Sequence, residues 1–163
     1  MEKQAVFFII VTLIVVTVVL NLGFFRRATL NQAESFEVTL WVHCDVLLEN
    51  MDMLDRDRHE LVPEDGIIFP MTVVRAYYGD SVFDVLQREM RNSGIHMVSR
   101  MMPVYNLAFV EAINNIFMSD AGSMSGWQFR VNGESGSLGA SQQILQTGDI
   151  IEWFFTLDFS EDW

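Results

Sequence analysis

The sequence predicts an α+β domain of β-grasp type, a sheet covered by one main helix, behind a single apolar N-terminal helix. Three observations carry this: an uncharged run from Ala5 to Phe25, one well-capped amphipathic helix opening at Ser81, and alternating apolar stretches on either side of that helix. Strand, strand, helix, strands is the order of a two-layer α+β domain.

The apolar run spans 21 positions, enough to cross a hydrocarbon core of about 30 Å as a helix. It exceeds a signal-peptide h-region, and Arg26-Arg27-Ala28 places Arg where a cleavage site wants a small residue. Residues 1–27 are therefore expected to stay as a signal-anchor, with 28–35 as a short linker and 36–163 as the folded domain. Lys3 precedes the run and Arg26 and Arg27 follow it, so the positive-inside rule argues for a cytoplasmic body.

The whole chain has 22 acids against 10 bases, a formal charge of −12. With Glu2, Lys3, Arg26 and Arg27 set aside, the remainder has 21 acids, 7 bases and no Lys. Binding a phosphate backbone requires clustered cations, so nucleic acid is excluded as a partner. The single Cys44 permits no internal disulfide.

Phe36, Val38, Leu40, Val42 and Cys44 alternate with more polar positions and predict a half-buried strand in which the thiol is packing. Residues 49–66 are rich in acids, lack periodicity and end in Pro63-Glu64-Asp65-Gly66, which predicts a loop. Arg56 and Arg58 interrupt any calcium-loop spacing there. Ile67 to Tyr78 reads as extended, with Pro70 marking an edge or bulge.

Ser81 with Asp84 three residues on forms a capping box, Val82, Val85, Leu86 and Met90 form one stripe, and Asn92-Ser93-Gly94 ends the helix. Ile95 to Phe117 fits strand or short helix by periodicity. Trp127, Phe129 and Val131 then alternate before the turn dipeptide Asn132-Gly133, and Ile150 to Phe155 forms a last strand with aromatic groups on both faces.

Catalysis finds little support: the body has three His residues, none paired at zinc spacing, and no P-loop or nucleophile elbow. The Gly-rich stretch 133–139 follows a turn rather than opening a helix, which argues against a phosphate cradle. Met51, Met53, His96, Met97, Met101 and Met102 could be drawn into a Cu(I) site, but Met more often packs. No enzyme activity and no metal are expected.

Several segments resemble the transcobalamin-like C-terminal domain family: Asn50 through Gly66, Asp80-Ser81-Val82-Phe83-Asp84-Val85-Leu86, Gly94-Ile95-His96-Met97, Ile113-Asn114-Asn115, Ser125-Gly126-Trp127, Val131-Asn132-Gly133 and Gly148-Asp149-Ile150-Ile151-Glu152-Trp153. The resemblance covers 36–162 and implies strands over 95–117. Many bacterial members carry Cys where this chain has Ala121 and Ala140, which implies that the 134–143 loop lacks a covalent tether here and is more mobile.

In the vitamin carriers of that family, such a domain closes over one face of a cobalamin held by a larger helical domain. The resemblance implies a membrane-anchored extracytoplasmic binding module for a corrinoid or another flat amphipathic ligand. The residues it points to are Ser125, Gly126 and Trp127, with Asn114 and Asn115 on the preceding turn; the competing reading makes Trp127 core packing and the Asn pair turn chemistry. A cell-surface structural or protein-interaction domain, engaging a surface or transporter protein and no small molecule, stays open beside it.

Overall fold

The computed structural model describes Thr17 and residues 34–105, 107–136 and 138–160. The expected anchor at 5–25 and the linker at 28–35 thus lie almost wholly outside the described residues, and the domain is described from Glu34 onward.

Alternation sets the first strand. In β1 (Ser35–His43), Phe36, Val38, Leu40 and Val42 are buried, and Cys44 beyond it is fully enclosed. Period-2 side-chain direction puts those positions on one face, so burying them fixes the register. Residues 45–61 form three short 3-10 helices, Asp45–Leu47, Met51–Met53 and Arg56–Leu61, the last two inside the 49–66 stretch that reads as a loop. They lack the apolar periodicity that would have announced them.

β2 (Ile67–Tyr77) pairs antiparallel with β1 along an edge of the sheet. The pairing slips where Pro70 sits: Leu40 faces Thr72, and Val42 faces Phe69. Proline has no N–H for the ladder, which confines it to edges and bulges.

Helix α1 (Val82–Asn92) begins as its sequence dictates. The Ser81 hydroxyl accepts from the Asp84 amide at 3.3 Å, and Asp84 Oδ2 accepts from the Ser81 amide at 2.9 Å. At the other end Gly94 adopts φ 68°, so that Ile95 N–H donates to the Met90 carbonyl and Gly94 N–H to that of Arg91. These bonds satisfy carbonyls that a helix end otherwise leaves free. Val82, Val85, Leu86 and Met90 are buried. Arg88 holds the helix to β2 through Asp80 at 2.8 Å and the Arg75 carbonyl at 2.7 Å.

After the helix come β3 (Met97–Met102), β4 (Leu107–Ile113) and β5 (Ile116–Phe117), an antiparallel three-stranded sheet. β6 (Gly126–Val131), β7 (Glu134–Ser135) and β8 (Ile150–Thr156) complete the first sheet in the order β2-β1-β8-β6-β7. β8 runs parallel to β1 and antiparallel to β6. The domain is thus mixed α+β, mostly sheet with one main helix. Its core joins Leu40, Leu86, Ile113, Ile151 and Phe155.

The loop after β7 has no covalent tether, yet hydrogen bonds hold its far end. Phe83 N–H donates to the Ala140 carbonyl and Val82 N–H to that of Gln143, each at 3.0 Å, and the Ala108 amide donates to Ser141 Oγ at 2.9 Å. Two of the donors that a helix N-terminus leaves unpaired are satisfied by this loop. Ala121 and Ala140 are both buried.

Candidate functional site

A concave groove of about 370 Å³ opens between β4 and β6, with the loop after β7 and Phe159 as further walls. Leu107, Phe109, Trp127, Phe129 and Trp153 supply apolar surface; Gln128, Ser135 and Gln142 supply the polar groups. Among the described residues, no acid, base, histidine or cysteine lines it. A mostly apolar concavity with a few polar side chains is the usual form of a small-molecule site, and this volume lies at the lower end of the range.

Alternation on β6 puts Trp127 and Phe129 on one face. Their antiparallel partners on β8 are Phe155 and Trp153. The Trp127 and Phe155 rings meet edge to face at 5.3 Å, and the Phe129 and Trp153 rings tilt at 35° at the same separation, both favourable arrangements of aromatic quadrupoles.

The two indoles differ in their N–H groups. Trp127 Nε1 donates to the Ile116 carbonyl at 2.9 Å. Trp153 Nε1 is buried and has no hydrogen-bond partner among the described residues.

Of the five residues expected at the site, Trp127 alone lines the groove, and it is only 5% exposed. Ser125 is fully buried; its hydroxyl donates to the Gly122 carbonyl at 2.8 Å and accepts from the Ala121 amide at 3.2 Å, closing a turn. Gly126 leaves room for the Phe159 ring, which a Cβ there would strike. Asn114 and Asn115 form the β4–β5 hairpin turn with φ 53° and 61°, the left-handed pair that a two-residue hairpin demands and Asn tolerates. Asn114 Nδ2 donates to the Leu61 carbonyl at 2.8 Å, and Arg58 donates to the Asn115 carbonyl at 3.1 Å. The Asn pair therefore secures the 3-10 segment and takes no part in the groove.

Trp153 and Phe129 are the groove aromatics on β8 and β6 that the expected set lacked. Their signal was the shared alternation with Trp127 on facing strands, which also fits simple packing.

Elsewhere, His43 is enclosed on β1, with Nδ1 2.8 Å from Asp45 Oδ1, Nε2 3.1 Å from Glu152 Oε1, and its ring stacked on Trp41 at 4.0 Å. This cluster ties β1 to β8. Burial, with Asp45 and Asp65 nearby, pushes the Cys44 thiol up to about 12, which suppresses the reactive thiolate. Among the described residues no three His, Cys, Asp or Glu are grouped to hold a metal ion.

A family profile described as a domain of unknown function (DUF4430) matches residues 79–156, which include α1, the groove strands β4 and β6, and β8. No curated protein matches the chain. Among solved structures, haptocorrin in complex with Cbi aligns with a TM-score of 0.53 at 14% identity, over 79% of this chain and 27% of that one. This chain therefore spans about a quarter of the haptocorrin chain, and the likeness is one of fold. A Ruminococcus gnavus ATCC 29149 protein, named as a candidate metal-binding protein, aligns with a TM-score of 0.43 at 13% identity, over 74% of this chain and 96% of that one. Similarity at that level carries no inference about ligand.

Proposed function

We propose that this chain is a membrane-anchored extracytoplasmic binding module whose groove takes part of a flat amphipathic ligand, with corrinoids as the leading class. The observation that carries the reading is the groove itself: a concavity walled by aromatic rings and amides, with no acid, base or thiol among its described lining residues. That lining suits binding rather than catalysis, which needs positioned acids, bases or nucleophiles. The fold likeness to haptocorrin, whose structure contains Cbi, and the motif resemblance to transcobalamin-like C-terminal domains support the ligand class. The central parallel β1–β8 pair, flanked by antiparallel β2 and β6, supports the β-grasp reading.

Size limits how such a ligand sits. A volume of 370 Å³ equals that of about a dozen liquid waters at about 30 Å³ each. A macrocycle with amide arms is far larger, so the groove takes one edge or arm and leaves the rest outside. A module of this kind caps a ligand rather than swallowing it. Titrating the full chain in lipid nanodiscs with dicyanocobinamide and cyanocobalamin tests this. Saturable shifts in corrinoid visible absorbance support it, and none with either ligand refutes the corrinoid class.

A second reading has its own observation. At the β3–β4 hairpin Val104 is 87% exposed, with Met101 and Tyr105 also exposed, and Leu138 is exposed on the groove wall. Exposed apolar surface beside a groove also fits a protein partner. Crosslinking to a surface or transporter protein, lost on Val104→Asp with corrinoid binding intact, would favour that reading.

A further inference from the structure

We infer that the groove selects an uncharged ligand group that pairs an apolar body with a carbonyl acceptor, and that Trp153 Nε1 is the donor that reads the carbonyl. The inference rests on the groove being a binding site, and adds the chemistry of what enters it. Trp153 lines the groove, is 2% exposed, and keeps its Nε1 buried without a partner among the described residues. Buried donors are paired in the great majority of cases, because an unpaired one forfeits its hydration with nothing in return. Trp127, on the facing strand, obeys the rule through the Ile116 carbonyl. Trp153 is the exception, and Trp153 is one of the residues that line the groove.

The selection against charge has two sources. Among the described residues, none that lines the groove carries a charge to pair with a carboxylate, phosphate or ammonium, and moving an ion into such surroundings unpaired is costly. The chain as a whole is strongly acidic, at −12, which further disfavours anions. A donor-only indole N–H requires an acceptor, and amides and esters provide one without charge. Phe129, tilted against Trp153, offers a neighbouring ring face for the apolar body.

The test uses the full chain in nanodiscs, labelled with 15N-tryptophan, and two neutral probes. Acetanilide carries the carbonyl; N-ethylaniline has the same skeleton without it. The Trp153 indole signal is assigned by its loss in Trp153→Phe. Acetanilide should move the Trp153 N–H resonance downfield and bind about 3- to 10-fold more tightly than N-ethylaniline, the range of one net hydrogen bond. Trp153→Phe should erase that preference and still bind N-ethylaniline. Equal affinities with a stationary Trp153 N–H would overturn the donor role while leaving the groove a binding site. Saturable perturbation of groove signals by neither probe would overturn the inference together with the binding reading. If Trp153→Phe does not fold, the Trp153 signal is assigned by elimination from Trp41→Phe, Trp127→Phe and Trp163→Phe, and the wild-type titrations decide the matter.

Discussion

Phe129 and Trp153 face each other across β6 and β8, their ring centroids 5.3 Å apart and tilted by 35°. They form part of the groove wall, while the neighbouring Trp127–Phe155 pair turns edge to face and anchors its indole on β5. One aromatic pair is committed to the core by a hydrogen bond, and the other retains a donor.

That difference predicts unequal costs for the same substitution. Trp127→Phe loses a buried hydrogen bond to the Ile116 carbonyl, whereas Trp153→Phe removes a donor that has no partner among the described residues. Urea unfolding should show Trp127→Phe costing about 1 kcal/mol more than Trp153→Phe. Trp127→Ala should cost about 3 to 5 kcal/mol as a core truncation.

The helix offers a second contrast. Leu86 is fully buried, so Leu86→Ala should destabilise by about 2 to 5 kcal/mol. Ser81→Ala removes the cap bond to Asp84 and should cost about 0.5 to 2 kcal/mol. Paired denaturation curves check both values.

Cys44 sets a pH dependence. Its thiol is held up to about 12, mainly by burial, so the folded state keeps a proton that the unfolded chain releases near pH 9. The stabilisation is fully present below about pH 9 and is lost as pH rises toward about 12. Cys44→Ala should flatten that part of the stability profile, which unfolding measured from pH 8 to 10.5 will detect as diverging curves. Native wild-type protein should also resist thiol reagents until it unfolds.

Gly126 controls one wall. A Cβ there meets the Phe159 ring, and that ring is a movable side chain rather than backbone. Gly126→Ala should displace Phe159 at a cost of about 1 to 3 kcal/mol. A 19F label at Phe159 should report a change of environment while the Trp127 indole signal stays in place.

Residues 5–25 are expected to hold the body outside the membrane, against the charge bias of Arg26 and Arg27. Protease shaving of intact cells, followed by an antibody to the body, should show digestion. Full protection in intact spheroplasts would reverse the orientation.

The sequence announced what is decided locally. The Ser81–Asp84 box and the Gly94 stop depend on contacts within a few residues, and alternation marked β1, β6 and β8. Pro70 marked the slip in β2 because a missing N–H acts wherever the strand pairs. The parallel union of β1 with β8 joins residues more than a hundred positions apart, and no local pattern encodes it. The site was legible only as far as Trp127. Nothing in the residue order tells that its N–H meets Ile116, because β5, a strand of two residues, supplies the acceptor, or that the Trp153 N–H has no partner among the described residues. Asn114 and Asn115 looked like ligand amides for the same reason that they make a good turn: a short polar side chain that tolerates positive φ.

The groove as a ligand site is tested most directly by calorimetric titration of the full chain in nanodiscs with dicyanocobinamide, beside Ser135→Trp. Ser135 is an exposed lining residue on β7, so the added indole obstructs the groove without entering the core. Saturable heat from the wild type that falls at least tenfold in affinity in Ser135→Trp is the predicted result. Equal affinity in the two proteins, or no saturable heat from the wild type, would contradict it.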